Sequence, residues 1–125
     1  MAVKSHRILV VEDEKDFNSM LCKVLRHQGY DVIGVSSGED AIEEAKSHNY
    51  WLVIVDFKLP GINGVQTYKA IAETEPDIKF LVITGYLEKK TIDDILSRTC
   101  VCLFKPFELN ELLKIIKALE EEKCN

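Results

Sequence analysis

Five short apolar runs, most of them rich in valine and isoleucine, limit the fold of this chain more than any other feature of its sequence. They are ILVV at 8–11, VIGV at 32–35, LVIV at 52–55, FLVI at 80–83 and VCLF at 101–104. Continuous apolar runs of this length are typical of β-strands that are buried on both faces. A sheet of such strands needs helices on both sides, so the runs predict an α/β protein.

The segments that follow these runs have the apolar spacing of amphipathic helices. Apolar residues recur every three or four positions within 17–25, 41–45, 65–72, 92–96 and 109–116. Ser37 and Asn63 are suitable N-caps for the second and third helices, and Gly29 and Pro76 are suitable stops for the first and third. The alternation predicts a (βα)5 doubly wound, five-stranded parallel sheet with right-handed crossovers and helices on both faces.

Composition and charge limit the environments and partners of the chain. Its 125 residues suffice for one domain, predicted over residues 5–122 with short tails at 1–4 and 123–125. A formal net charge of −5 argues against direct nucleic-acid binding, and no apolar run is long enough to span a membrane. The four cysteines have neither CxxC spacing nor a secretory signal before them. They are therefore predicted to be free thiols, and the protein to be cytoplasmic.

Candidate site residues follow four of the five predicted strands. Glu12 and Asp13 follow the first strand, Asp56 the third, Thr84 the fourth and Lys105 the fifth. The carboxyl ends of parallel strands meet at one edge of a sheet, where open α/β proteins bind their ligands. We therefore expect these five side chains to form one site, although Asp13 could instead be only the N-cap of the first helix and Thr84 only structural.

Three carboxylates at one edge of a sheet repel one another. At about 4 Å each pair would cost roughly 1 to 4 kcal/mol in a surface-like setting, and Lys105 alone offers partial compensation. A divalent cation would offset the remaining repulsion. Because the donors are carboxylate oxygens, without His or Cys, the pattern favours Mg²⁺ over a softer metal.

The same residues suit phosphoryl transfer. A carboxylate can attack phosphorus in line and form an acyl phosphate, and the transition state spreads negative charge over three equatorial oxygens. Asp56 would be the nucleophile, while Mg²⁺, Lys105 and Thr84 would each contact one of those oxygens. The pattern therefore predicts a phosphoryl-accepting aspartate.

The sequence resembles the response-regulator receiver domains of two-component signalling over about residues 6 to 120. The segments that match receiver motifs, at receiver spacing, are ILVVEDE, VDFKLPGING, LVITGY and FKPFELNELL. The resemblance implies the flavodoxin-like fold of chemotaxis receivers, with strand order 2-1-3-4-5. It also implies that Asp56 accepts a phosphoryl group from the phosphohistidine of a histidine kinase, that Thr84 and Lys105 respond to that group, and that the Lys105–Pro106 bond is cis.

The metal site that the resemblance implies uses four residues. Asp13 would be a direct Mg²⁺ ligand and Glu12 would support it, through water. Asp56 would contribute its carboxylate, and Lys58 would contribute its backbone carbonyl.

The resemblance further implies a role in a phosphorelay. The chain would catalyse only its own phosphorylation and dephosphorylation. It would receive its phosphoryl group from a histidine kinase or phosphotransfer protein and signal to a downstream protein through the face of the fourth helix, fifth strand and fifth helix. The charged residues expected on that face, which could also be simply solvated, are Lys89, Lys90, Asp93, Lys114 and Lys117. The chain would be a stand-alone receiver, or a receiver excised from a longer regulator or hybrid kinase.

Three positions depart from the receiver pattern. Cys102 occupies the position, three residues before the lysine, where receivers usually carry the Tyr or Phe that couples to the threonine; Tyr86 is a candidate substitute. Lys58 occupies a position that tunes dephosphorylation in the family, so its ammonium would either contact the phosphoryl group or be solvated. The SRTC segment at 97–100 replaces a small Ala-Gly-Ala turn.

Three other classes of protein fit the pattern less well. A haloacid-dehalogenase-like phosphatase would need a second acid two residues after Asp56, where the chain has Lys58. A flavodoxin-like redox module would need a phosphate-binding loop after the first strand, where the chain has the acidic segment VVEDEKD. A degenerate receiver, which would bind partners without phosphorylation, would not need the complete set of site residues.

Overall fold

The computed structural model describes residues 6–85 and 100–121, which form five strands and four helices. In chain order these are β1 (Arg7–Val11), α1 (Lys15–His27), β2 (Asp31–Val35), α2 (Gly38–Ser47), β3 (Leu52–Asp56), α3 (Gly64–Thr74), β4 (Lys79–Thr84), β5 (Cys100–Phe104) and α4 (Leu109–Glu121). The helix α4 is the fifth helix predicted from the sequence. The fourth predicted helix, at 92–96, lies outside the described residues.

All neighbouring strands of the sheet pair in parallel, in the order β2-β1-β3-β4-β5. This confirms the predicted doubly wound topology and strand order. The register places Val11 beside Val55, Asp56 beside Ile83, and Thr84 beside Phe104. Consequently β1, β3, β4 and β5 end at one edge of the sheet, and the residues that follow them lie near one another.

The core has two halves, one on each face of the sheet. Ile54 of β3 packs on the face that α1 and α4 cover, where Leu25 and Ile116 are fully buried. Val53 packs on the other face, with Ile71 of α3 and Ala41 of α2. Each buried aliphatic side chain contributes roughly 1.5–3 kcal/mol to folding, so the two halves hold β3 rigidly along its whole length.

Local capping sets the ends of the helices. Ser37 and Asn63 are the N-caps of α2 and α3, as predicted, and Asn63 forms a capping box with Gln66. The N-cap of α1 is Glu14, whose Oε1 accepts a hydrogen bond from the Phe17 N–H at 2.9 Å. The alternative role considered for Asp13, as the cap of this helix, is therefore wrong. The Asp13 carboxylate lies instead near those of Glu12 and Asp56, at the edge of the sheet.

The ends of the first and third helices also follow the predicted signals. Gly29, with φ +100°, follows the C-cap residue Gln28, and this left-handed conformation suits glycine. The helix α3 ends at Thr74, two residues before Pro76. Among the residues that the structure describes, no helix is both long and apolar enough to cross a bilayer.

Candidate functional site

Three carboxylates converge at the edge of the sheet where β1 and β3 end. Glu12, Asp13 and Asp56 each place one carboxylate oxygen within 4.8 Å of the others. Glu12 and Asp56 are almost completely buried, whereas Asp13 is exposed. The convergence predicted from the sequence is confirmed, and it arises because β1 and β3 are adjacent and in register.

Lys105 faces this cluster from the end of β5. Its Nζ lies 3.3 Å from Oδ2 of Asp56 and 5.9 Å from the centre of the Phe17 ring. The Lys105 backbone N–H donates to the Thr84 carbonyl at 2.8 Å, which ties the end of β5 to the end of β4. The Lys105–Pro106 bond is cis, as predicted. The ammonium therefore offsets part of the negative charge of the cluster.

Thr84 is the last residue of β4 and is buried at the same edge. It is one residue beyond Ile83, the register partner of Asp56. Its Oγ1 donates a hydrogen bond to the Gly85 carbonyl at 3.2 Å.

The Glu12 carboxyl is strongly perturbed by its position in the site. Burial raises the pKa of Glu12 to about 7, and the nearby Asp56 carboxylate adds to the rise. The Glu14 N–H, which donates to Oε2 of Glu12 at 2.9 Å, and the Lys105 ammonium oppose it. The other oxygen, Oε1, is buried without a hydrogen-bond partner in the described part of the chain. A buried oxygen in this state is suited to a cation or its bound water.

We predict that Glu12→Gln stabilises the metal-free protein at pH 8. The folded carboxyl keeps its proton up to about pH 7, whereas the unfolded carboxyl loses it near 4.5. The wild type therefore loses stability as pH rises through this window, by about 2 to 3 kcal/mol, and the amide removes that loss. Urea unfolding in EDTA at pH 5 and pH 8 measures the free energy of unfolding of both proteins. An equal pH dependence of this free energy in wild type and Glu12→Gln would contradict the raised pKa of Glu12.

Two surface cavities reach the carboxylate cluster. One, of about 560 Å³, is lined among others by Glu12 and Asp13, by Ser36 after β2 and by Asp40 of α2. The other, of about 480 Å³, lies between α1 and the segment after β5 and is lined by Lys105 and the exposed Met20, among others. A solvent-borne ion can therefore approach the Glu12 side of the cluster from both cavities.

Other residues singled out in the sequence lie in or near the site. Lys58 is exposed in the loop that follows β3, two residues beyond Asp56. Cys102 is half-buried in β5, opposite Val82, and packs on the face covered by α2 and α3. Cys22 and Cys102 form no disulfide. Tyr86 and residues 97–99 of the SRTC segment lie outside the described residues.

The sequence analysis missed two residues that shape the site. Asn18 donates from Nδ2 to the Glu12 and Val35 carbonyls, each at 2.9 Å. Gly64 packs so closely behind Asp56 that a Cβ there would lie 2.5 Å from the Asp56 carbonyl oxygen. A glycine in the first turn of a helix is a usable signal of such an approach. Asn18 carries no such signal, because a polar residue in an amphipathic helix is ordinary.

The fold and the site together define a class: a doubly wound α/β protein with an acidic, cation-compatible cluster at the carboxyl ends of its strands. A family model, the response regulator receiver domain, matches residues 8–117. The chain therefore belongs to the response regulator receiver domain family. Membership favours this class over the phosphatase and the redox module considered from the sequence.

Individual relatives agree with the family assignment. The chain is 31% identical to the response regulator receiver protein CpdR of Brucella abortus, over 90% of this chain and 95% of CpdR. It is 33% identical to the response regulator ArlR of Staphylococcus aureus, but spans only 52% of that protein. The crystal structure of response regulator TrrA from Thermotoga maritima, in complex with Mg²⁺-BeF, superposes with a TM-score of 0.81. It is 31% identical to this chain, and the match covers 91% of this chain and 98% of TrrA.

Proposed function

We propose that this chain is a phosphoacceptor receiver of a two-component phosphorelay, in which Asp56 takes a phosphoryl group from the phosphohistidine of a histidine kinase or phosphotransfer protein. The observation that carries the proposal is the convergence of three carboxylates within 4.8 Å, with a lysine ammonium 3.3 Å from Asp56. The related protein TrrA forms a complex with Mg²⁺-BeF, which supports Mg²⁺-dependent phosphoryl chemistry for the present chain as well.

The donor atoms of the cluster fit Mg²⁺. The buried, unpartnered oxygen of Glu12 and the two neighbouring carboxylates are hard oxygen donors. Asp13, Asp56 and the Lys58 backbone carbonyl would hold the ion, with Glu12 supporting it. When bound, Mg²⁺ supplies positive charge that offsets the charge on the phosphoryl oxygens.

The reaction uses the position of Asp56 at the tip of a rigid, buried strand. A carboxylate oxygen of Asp56 attacks phosphorus in line, the phosphorus–nitrogen bond of the phosphohistidine breaks, and the imidazole leaves with the electron pair of that bond. Lys105 stays paired with the aspartyl phosphate and neutralises part of its charge. The Thr84 hydroxyl turns from the Gly85 carbonyl to donate to a phosphoryl oxygen.

The proposed output is a change in protein contacts. Phosphorylation biases a two-state equilibrium by drawing Thr84 and Lys105 toward Asp56. The downstream partner would contact the face of the fourth predicted helix, β5 and α4, where Lys114 and Lys117 are exposed. Lys89, Lys90 and Asp93, also expected there, lie outside the described residues. The protein would act in the cytoplasm, as one receiver domain over residues 5–122, and would catalyse only its own phosphorylation and dephosphorylation.

Intact-protein mass spectrometry tests the proposal. Wild type and Asp56→Asn are incubated with a small acyl phosphate, such as acetyl phosphate, in Mg²⁺ or in EDTA. We expect the wild type to gain one phosphoryl group in Mg²⁺ only, and the variant to gain none, because Asn has no nucleophilic carboxylate. Asp77→Asn, at an exposed acid in the loop that leads into β4, is the matched control and should behave as wild type.

The other outcomes of this experiment have distinct meanings. No adduct on wild type, even at short sampling times, would favour a degenerate receiver that binds partners without phosphorylation. An adduct that persists in Asp56→Asn would place the acceptor elsewhere. Release of phosphate with many turnovers would instead indicate a phosphatase.

A further inference from the structure

The Asn18 side chain joins three elements of the fold. It projects from the first turn of α1, and its two Nδ2 hydrogens go to two different carbonyls, Glu12 after β1 and Val35 at the end of β2. The Val35 carbonyl also accepts from the Glu12 N–H at 3.0 Å. The peptide groups on both sides of the Glu12 Cα are thus held against β2 and α1.

The surroundings of Asn18 leave little freedom to its amide. Oδ1 accepts a hydrogen bond from the buried Cys22 thiol, with an Sγ–Oδ1 distance of 3.4 Å. Gly34 of β2 provides the space, since a Cβ there would lie 2.3 Å from Oδ1 of Asn18 and 2.9 Å from the Cys22 sulfur. Both Nδ2 and Oδ1 of Asn18 are therefore hydrogen-bonded, and these bonds set the orientation of the amide.

We propose that Asn18 is a positioning residue that holds the Glu12–Asp13 backbone in the conformation that presents both carboxylates to the cation. The inference rests on the proposed function, because it assigns Asn18 a part in the Mg²⁺ affinity of that site. The physical reason is that Glu12 follows the last residue of β1: its N–H still bonds to β2 at Val35, but its carbonyl lies beyond the β1 strand. The Asn18 side chain of α1 supplies a donor to that carbonyl.

Two readouts on Asn18→Leu test the proposal, one of which needs no metal. Leucine has a similar size but no donor, so the Glu12 and Val35 carbonyls both lose the hydrogen bond from Asn18, and Val35 keeps only the one from the Glu12 N–H. In metal-free protein we expect faster amide hydrogen exchange at Glu12 and Asp13, measured by NMR. By titration calorimetry we expect the Mg²⁺ dissociation constant to rise at least about tenfold, as for other residues that orient ligands. Phosphorylation by acetyl phosphate should recover toward the wild-type rate at saturating Mg²⁺.

Matched variants separate positioning from general stability. Ser19→Ala changes an exposed neighbour on the same helix and should leave both readouts unchanged. Cys22→Ala removes the donor to Oδ1 and one buried sulfur atom but leaves both Nδ2 bonds of Asn18, so it should shift the dissociation constant less than threefold. If Asn18→Leu does not fold, Asn18→Asp keeps the shape without the donors and is compared by hydrogen exchange.

The results that overturn the inference are specific. In one such result, Asn18→Leu lowers the unfolding temperature but changes neither the amide exchange at Glu12 nor the Mg²⁺ dissociation constant. Asn18 would then only stabilise the fold and would not position the site. A wild-type protein that neither binds Mg²⁺ nor takes a phosphoryl group would instead overturn the proposed function, and with it the metal part of the inference. The exchange experiment would then still decide whether Asn18 holds the backbone.

Discussion

Replacing Lys105 with Met is expected to slow the phosphorylation of Asp56 by about 100-fold, the typical effect of removing one preorganised charge from a transition state. The Lys105 Nζ lies 3.3 Å from Oδ2 of Asp56, in a cluster with two further carboxylates. Without the ammonium, the negative charge that develops on the phosphoryl group meets three acids and loses the neutralising charge of Lys105. Methionine keeps the length of the side chain, so packing changes little.

The same substitution should not weaken Mg²⁺ binding. Removing a positive charge makes the cluster more negative, so the Mg²⁺ dissociation constant should stay equal or fall. Stopped-flow or mass-based phosphorylation rates and titration calorimetry give the two quantities. Lys114→Met, at an exposed position on α4, is the control. A phosphorylation rate within about threefold of wild type would show that the ion pair has no part in the reaction.

Gly64→Ala is expected to destabilise the protein by about 2 to 3 kcal/mol, although alanine is the better helix former. At an unobstructed helical position the same change would stabilise by up to about 1 kcal/mol. Here the added Cβ would lie 2.5 Å from the Asp56 carbonyl oxygen and 2.8 Å from the Phe57 Cα, which are backbone atoms of the site. The backbone must move, and Asp56 moves with it.

Urea unfolding and phosphorylation rates measured well below the unfolding midpoint test this prediction. We expect both the stability and the rate to fall, because the nucleophile shifts relative to Lys105. Glu73→Ala, at an exposed position of the same helix, should change neither by much. A stabilised Gly64→Ala would show that α3 moves away freely and that the close approach does not matter.

Much of the fold was predictable because its signals are local. The all-apolar run at 52–55 indicated a strand buried on both faces, and the structure buries β3 throughout. Ser37 and Asn63 were identified as helix caps, because a cap depends on residues within one turn. The acids after β1 and β3 could be assigned to one edge because parallel strands have a common direction.

The electrostatics and the supporting contacts of the site could not be predicted in the same way. The raised pKa of Glu12 depends on its burial beside Asp56, which is 44 positions away in the sequence (56 minus 12). The choice of Glu14 over Asp13 as the cap of α1 depends on the path of a few backbone bonds. Both depend on backbone and packing geometry that residue types do not encode separately.

The sequence by itself determined the alternation of strands and helices in the described residues and the set of side chains at the carboxyl edge of the sheet, because apolar periodicity depends on the chemical types of neighbouring residues and the alternation makes the strands parallel. The strand order 2-1-3-4-5 was implied by the resemblance to receiver domains. The tertiary structure alone decided how those side chains are held. The amide of Asn18 in the space left by Gly34, and the contact of Gly64 with the backbone of Asp56, join segments far apart in the chain. Such contacts exist only after α1 and α3 pack on the sheet, since packing sets their distances.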